Sequence, residues 1–291
     1  MLLAFDIMGL VGLGRDFDGV ATGTRHPAIR AIQDHMRMLG ILSHVPWLLN
    51  LLSLIPGATA GYAPFFKFCA QQVGEKRGRM LAQRDLREKN KEVEGGEGEE
   101  RMVPDVMTWL IAAFDSPADK NGVPSRAALD EDSRVVIIAG SETTATTLAS
   151  ALYFMAKLPE EQRKLQAALD REVGDEWTYE KARGCALLEH VISETMRLHP
   201  AVKTGAPRET PPGGVMVDEV FVPGGMNVMV GIHGVQTDPR YWGERAAEFV
   251  PERWEDRSSR VGPFMPFNIG ECLPALYYLH PLLKGRLDAA D

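Results

Sequence analysis

The residues with the clearest capacity for chemistry stand together in Ala139-Gly140-Ser141-Glu142-Thr143-Thr144. An acid beside hydroxyls, held in a dry groove, is a proton relay in the making. Gly140 costs about 1 kcal/mol relative to alanine inside a helix and omits a side chain where a flat ligand could approach. Serine and threonine hydroxyls bond back to carbonyls one turn earlier, which bends a helix. The same hexapeptide also suits a small-residue crossing point with satisfied hydroxyls, so other parts of the chain must decide. A second set, Glu194-Thr195-Met196-Arg197, puts opposite charges three residues apart on one helix face. In isolation such a pair is a surface contact worth roughly a few tenths of a kcal/mol.

These residues need elements to hold them. Between Arg134 and Lys157 the one charged residue is Glu142. A helix over about 126–157 is long enough to cross a bilayer, but its hydroxyls and central carboxylate favour a long helix through the centre of a large fold, apolar nearly all round because other helices surround it. Before it, Pro27 suits the first turn of a helix to about Leu39, and Trp47 to Ile55 is a short apolar piece. Pro64 opens an amphipathic helix to about Lys91 with Phe65, Phe66, Cys69, Val73 and Met80 as its apolar side. Its basic cluster Lys76, Arg77, Arg79, Arg84 and Arg87 reads as a solvated face. Gly12 and Gly14 lack the third glycine of a dinucleotide loop and read as a turn. Glu94 to Glu100 reads as an acidic surface insertion, and Val103 to Phe114 as a helix.

After the central helix, Pro159 and Ala186 each begin a helix, the second stopped by Pro200. Val215-Met216-Val217, Val220-Phe221-Val222 and Val228-Met229-Val230 then read as strands between turn signals. The expected class is mainly α with a small β appendage, α+β: a helical core over 1–200, a β region over 201–232, irregular coil over 233–270 and a divergent tail over 271–291.

Composition narrows the function. The chain has 291 residues, 45% hydrophobic and 25% charged, ample for a core. A formal net charge of −8 with no basic stripe argues against a nucleic-acid partner. Cys69, Cys185 and Cys272 are few and widely spaced, which suits a reducing compartment and gives no disulfide framework or zinc site.

Taken in order, Ala-Gly-Ser-Glu-Thr-Thr, Glu194-Thr195-Met196-Arg197, Pro251-Glu252-Arg253-Trp254 and Pro266-Phe267-Asn268-Ile269-Gly270 resemble the haem-thiolate monooxygenases, the cytochrome P-450 family, in a fungal secondary-metabolism flavour. The resemblance implies a haem cofactor, O2 and a lipophilic small-molecule substrate, with an NADPH-dependent reductase as electron donor. It implies that Thr143 and Glu142 serve proton supply and that Gly140 lies where the helix passes the haem. Glu194, Arg197 and Arg253 would form a buried ion network that locks the coil beneath it. It also implies that Arg208 holds a haem propionate, a task suited to the guanidinium fork, and that Phe267 and Gly270 belong to the haem loop. Members usually sit at the endoplasmic reticulum membrane facing the cytoplasm; this sequence shows no anchor, so cytoplasmic placement is expected.

The likeness breaks at one point. The family puts its iron ligand four residues after the motif glycine, which here is Pro274, while Cys272 stands two residues after Gly270. Two residues of chain span roughly 7 Å when extended, and a metal bond tolerates about 0.2 Å. The sequence therefore also supports an alternative, a haem-free, catalytically inactive fragment that begins mid-domain.

Overall fold

In the computed structural model, residues 1–42, 46–55, 63–93, 105–116, 125–255 and 263–267 are described. The chain divides between Ala145 and Thr146 into two compact units.

The first unit is helical. Helix α1 (Leu2–Met8) runs into a π-helical turn, Gly9–Leu13, that Gly14 ends at φ 63°. Then come α2 (Gly19–Thr22), α3 (Pro27–Leu42), α4 (Pro46–Ser53), α5 (Ala63–Val93), α6 (Val106–Asp115) and α7 (Arg126–Ile138). Their shared core includes Phe5, Met8, Leu13, Ile29, Ile32, Phe65, Cys69, Val73, Met107, Ile111, Leu129 and Ile137. The side expected to be apolar on α5 is the buried one: Phe65, Cys69 and Val73 are fully covered, Phe66 and Met80 partly.

Two local expectations are corrected. The Gly12–Gly14 stretch is mostly helix, because Gly9 and Gly12 admit close packing. A Cβ on Gly9 would lie 2.5 Å from the Arg15 carbonyl oxygen, and one on Gly12 would lie 3.2 Å from Val136. The basic cluster of α5 is not all solvated either. Lys76 is buried, paired with Asp105 and bonded to the Leu13 carbonyl at 3.2 Å. Asp105 is available there because its other oxygen caps α6, accepting from Thr108 N at 2.9 Å. Arg77 clamps Asp115, while Arg79 and Arg84 are exposed; Arg87 lies outside the residues whose side chains are described.

Helix α7 passes through a π turn at Ala139–Thr143 into α8 (Thr144–Lys157), within which the second unit begins; α9 (Pro159–Glu172), α10 (Tyr179–Gly184) and α11 (Ala186–Leu198) follow in that unit. Short antiparallel ladders follow. Strand β1 (Arg208–Glu209) pairs with β4 (Asn227–Val228), and β2 (Val215–Val217) with β3 (Val220–Val222) through a turn with Asp218 at φ 50°. The third expected strand is thus shorter and finds its partner in β1, not in the hairpin. The segment expected as irregular coil contains α12 (Ile232–Gln236), α13 (Pro239–Trp242) and a 3-10 turn, Pro251–Trp254. Asp238 caps α13, accepting from Arg240 N at 2.9 Å. The class is mainly α with small β pieces.

The central helix, Arg126–Lys157, is long and apolar enough to cross a membrane by length and composition alone. Its packing is one-sided. Leu129, Ser133, Ile137 and Ser141 recur every four residues as a buried stripe, and α7 packs on α5 and α6. The expected all-round cover is not observed: Val135, Leu148, Leu152 and Tyr153 are exposed.

Candidate functional site

In the first unit the acid–hydroxyl hexapeptide forms the π turn, and α1 packs against it. Ser141 donates to the Ile137 carbonyl at 2.7 Å, and Thr143 to the Ala139 carbonyl at 2.5 Å. Both hydroxyls therefore bond one turn back, as the sequence suggested, and the ladder widens where they do so. Ser141 is fully buried in the packed stripe. Val135 and Ala139 are exposed on the other face, with Thr143 next in the same four-residue series. Beside them, Glu142 Oε2 is buried with no hydrogen-bond partner among the described residues. A buried carboxylate oxygen without a donor is costly, and a catalytic role is one of the reasons such an atom is kept.

Gly140 does not leave the opening expected of it. A Cβ there would come 2.8 Å from Met8 Cγ and 3.3 Å from Met8 Cβ. The space is filled by α1, so the glycine serves a close helix crossing. The face open to a ligand is that of Ala139 and Thr143, one turn apart on the same side of the helix. Met8 lies outside every motif, and sequence alone gave no signal that it would occupy this position.

In the second unit α11 carries a buried ion pair. Arg197 Nε and Nη2 donate to the two oxygens of Glu194, each at 2.8 Å, and both side chains are fully buried. The remaining guanidinium donors go to three carbonyls: Gln236 at 2.7 Å, Ala246 at 2.6 Å and Glu248 at 3.0 Å. A guanidinium has five N–H donors, and each is matched. Glu194 accepts in addition from Val250 N at 2.9 Å and Trp254 Nε1 at 3.0 Å. Arg253 Nε completes the charge cluster 3.5 Å from Glu194, while its terminal nitrogens donate to the Trp242 and Arg245 carbonyls at 3.0 and 2.9 Å. The three residues singled out from sequence thus meet, and together they pin segment 236–254 to α11.

Two contributors escaped sequence reasoning. Gln236, fully buried, donates to the Met196 and Arg197 carbonyls at 3.1 and 3.0 Å and accepts from Met265 N at 2.9 Å. It ties the end of α11 to the stretch before the expected haem loop. Trp242 roofs the network, with the Arg197 guanidinium 4.9 Å from its ring. Nothing in the spacing of Pro239–Trp242 links it to Arg197.

Arg208 is exposed at the start of β1. Among the described residues its guanidinium makes one hydrogen bond, to the Pro207 carbonyl at 3.4 Å, and pairs with no carboxylate. The guanidinium is therefore available to an anionic group. Phe267 is 63% exposed. Gly270 and Cys272 lie outside the described residues. The other two cysteines are packing residues: Cys69 and Cys185 are buried, and burial pushes the Cys69 thiol up to about 12, the opposite of a metal-binding thiolate.

Comparison with known proteins identifies the family. The cytochrome P-450 family model matches residues 2–272. The chain is 39% identical to cytochrome P-450 monooxygenase eupD of Phoma sp. over 81% of its own length and 79% of that protein. It is 32% identical to cytochrome P-450 monooxygenase FCK2 of Fusarium pseudograminearum, over 92% of this chain and 46% of that protein. Against tryprostatin B 6-hydroxylase of Aspergillus fumigatus it is 30% identical over 92% of this chain and 44% of that protein. The chain thus spans about half the length of several curated relatives. The chain belongs to the cytochrome P-450 family.

Proposed function

We propose that this chain carries the haem-dependent monooxygenase activity of its family, acting on a lipophilic small molecule. One atom of dioxygen enters the substrate and the other leaves as water, with two electrons from a reductase partner and two protons. The observation that carries the reading is the π turn: Thr143 beside the exposed Ala139, with the unpartnered Glu142 oxygen next to it. The residues fit a haem in a second respect, since Arg208 offers an uncommitted guanidinium suited to a propionate.

A bound haem supplies the oxygen-activating chemistry, and the protein supplies position, protons and electrostatics. Glu142 would take up a proton from solvent for delivery to the site, and Thr143, whose own hydroxyl proton is held by the Ala139 carbonyl, would offer its oxygen as an acceptor that orients a protonated group at the ligand face. Arg208 would hold the carboxylate edge, Cys272 would supply the thiolate, and Phe267 and Gly270 would shape the loop leading to it. The Glu194–Arg197–Arg253 cluster acts at a distance by fixing the backbone of 236–254. A cytoplasmic location for the activity rests on the family likeness alone.

The offset of Cys272 from the family spacing favours a second reading, a chain of this lineage that takes up no haem. One experiment separates the two. The full chain is supplied with haem, reduced and exposed to carbon monoxide. A thiolate-type difference spectrum that disappears in Cys272→Ala supports the monooxygenase. No haem uptake, or a spectrum indifferent to Cys272→Ala, overturns it.

A further inference from the structure

We propose that His26 is an acid-sensitive latch: its neutral imidazole caps α3 and fastens that helix to α1 and α5, and protonation releases the start of α3. His26 directly precedes Pro27, the first residue of α3, and so occupies the cap position. Its Nδ1 accepts from Ala28 N at 3.2 Å, the bond an asparagine or serine side chain would ordinarily make there. The proton of the neutral ring must then be on Nε2. Three rings from three places surround it: Phe5 of α1 at 5.6 Å, Phe17 of the following turn at 5.1 Å and Phe68 of α5 at 5.3 Å. The imidazole is thus both the cap of one helix and part of the aromatic joint between three segments.

Protonation opposes this arrangement in two ways. An imidazolium has no acceptor for Ala28 N, and its charge faces the positive end of the α3 dipole. Beside Phe17, Asp16 accepts from the Asp18 amide at 2.9 Å, and neither carboxylate is paired with the ring. Arg15 is the charge that bears on the ring, and with burial, the larger cause, it holds the His26 pKa below 6.5. From α1, Asp6 is committed to the Gly19 and Val20 amides at 3.0 and 2.8 Å. From α5, Glu75 is committed to Arg15 and Gln71, and Lys67 is a cation. On its own segment stand Arg25 and Arg30, also cations.

The test is hydrogen exchange of the full chain at about pH 7.5 and about pH 5, corrected for intrinsic rates, read at the start of α3. Protection there should fall by up to about tenfold per pH unit between about 6.5, the ordinary value regained by the released ring, and the folded-state pKa, and level off below it. His26→Asn keeps an acceptor at every pH and should hold protection level across the range. His26→Phe keeps a ring but no acceptor, and should show weak protection at both values. Level protection in the unaltered protein, or the same acid loss in His26→Asn, overturns the latch. Should His26→Asn fail to fold, direct NMR titration of His26 decides: a midpoint below 6.5 supports the proposal, and one at or above it refutes it.

Discussion

Glu194 and Arg197, three residues apart on α11, face each other through two parallel hydrogen bonds of 2.8 Å with neither side chain exposed to solvent. Desolvating two charges is expensive, and the pair is tolerable because every donor and both acceptor oxygens are occupied. Removing one partner leaves an uncompensated charge and three carbonyls without donors. Arg197→Ala should therefore lose about 3–5 kcal/mol of stability in urea titration. Arg197→Lys should recover little, because an ammonium has three donors and no planar fork for five acceptors. A loss below about 0.5 kcal/mol, typical of exposed pairs, would show that the cluster does not form in solution.

Gln236 tests the same region without touching a charge. Its amide joins the Met196 and Arg197 carbonyls to the Met265 amide. Gln236→Leu is close in size and strands these groups, at a cost of about 1–3 kcal/mol. Faster hydrogen exchange should follow at Met265, with α9 unaffected. Unchanged exchange at Met265 would mean that segment 263–267 is held by other contacts.

The pH dependence of the second unit has a definite sign. His199 packs against Tyr153 at 6.2 Å and Phe154 at 4.8 Å. Burial first, then Lys203, His233 and Lys157, lower its pKa from 6.5. The unfolded chain, whose histidine keeps the ordinary value, takes up the proton first as pH falls. The contribution to stability is present above about 6.5 and is lost as pH drops through the folded-state value. His199→Phe preserves the stacking and removes the titration. Its urea midpoint should therefore decline less between pH 7.5 and pH 5.5 than that of the unaltered protein, and equal declines would exclude His199 as a source.

How far the sequence spoke for itself varied with the kind of interaction. Local signals were legible: Pro27, Pro159 and the proline after His199 bound helices that the structure contains, and Glu194-x-x-Arg197 met as a pair. Partners supplied by distant backbone were not. Three of the five bonds to Arg197 end on main-chain carbonyls, and a carbonyl has no identity in the sequence. Lys76 looked like its exposed basic neighbours because nothing local announces Asp105 or the Leu13 carbonyl. Gly140 was correctly singled out as a place where a side chain is missing, but what fills a missing side chain's space is a tertiary fact. Here it is Met8.

That contact yields the sharpest mutational test of the π turn. In Gly140→Ala the new methyl group would lie 2.8 Å from Met8 Cγ and 3.3 Å from Met8 Cβ. Cγ and Cβ are the near end of the methionine, so rotation of the terminal thioether does not relieve the clash. Helix propensity favours the alanine by about 1 kcal/mol, whereas overpacking a well-filled site costs about 1–3 kcal/mol. Packing should win narrowly, with α1 displaced from the turn. Met8→Ala alone leaves a cavity and should cost about 2–5 kcal/mol. Combining the two puts a methyl group where volume has been vacated, so the double variant should be more stable than the sum of the single losses predicts. Strict additivity in denaturant titration would mean that Met8 and Gly140 do not touch, and would restore the opening beside Gly140 that the sequence suggested.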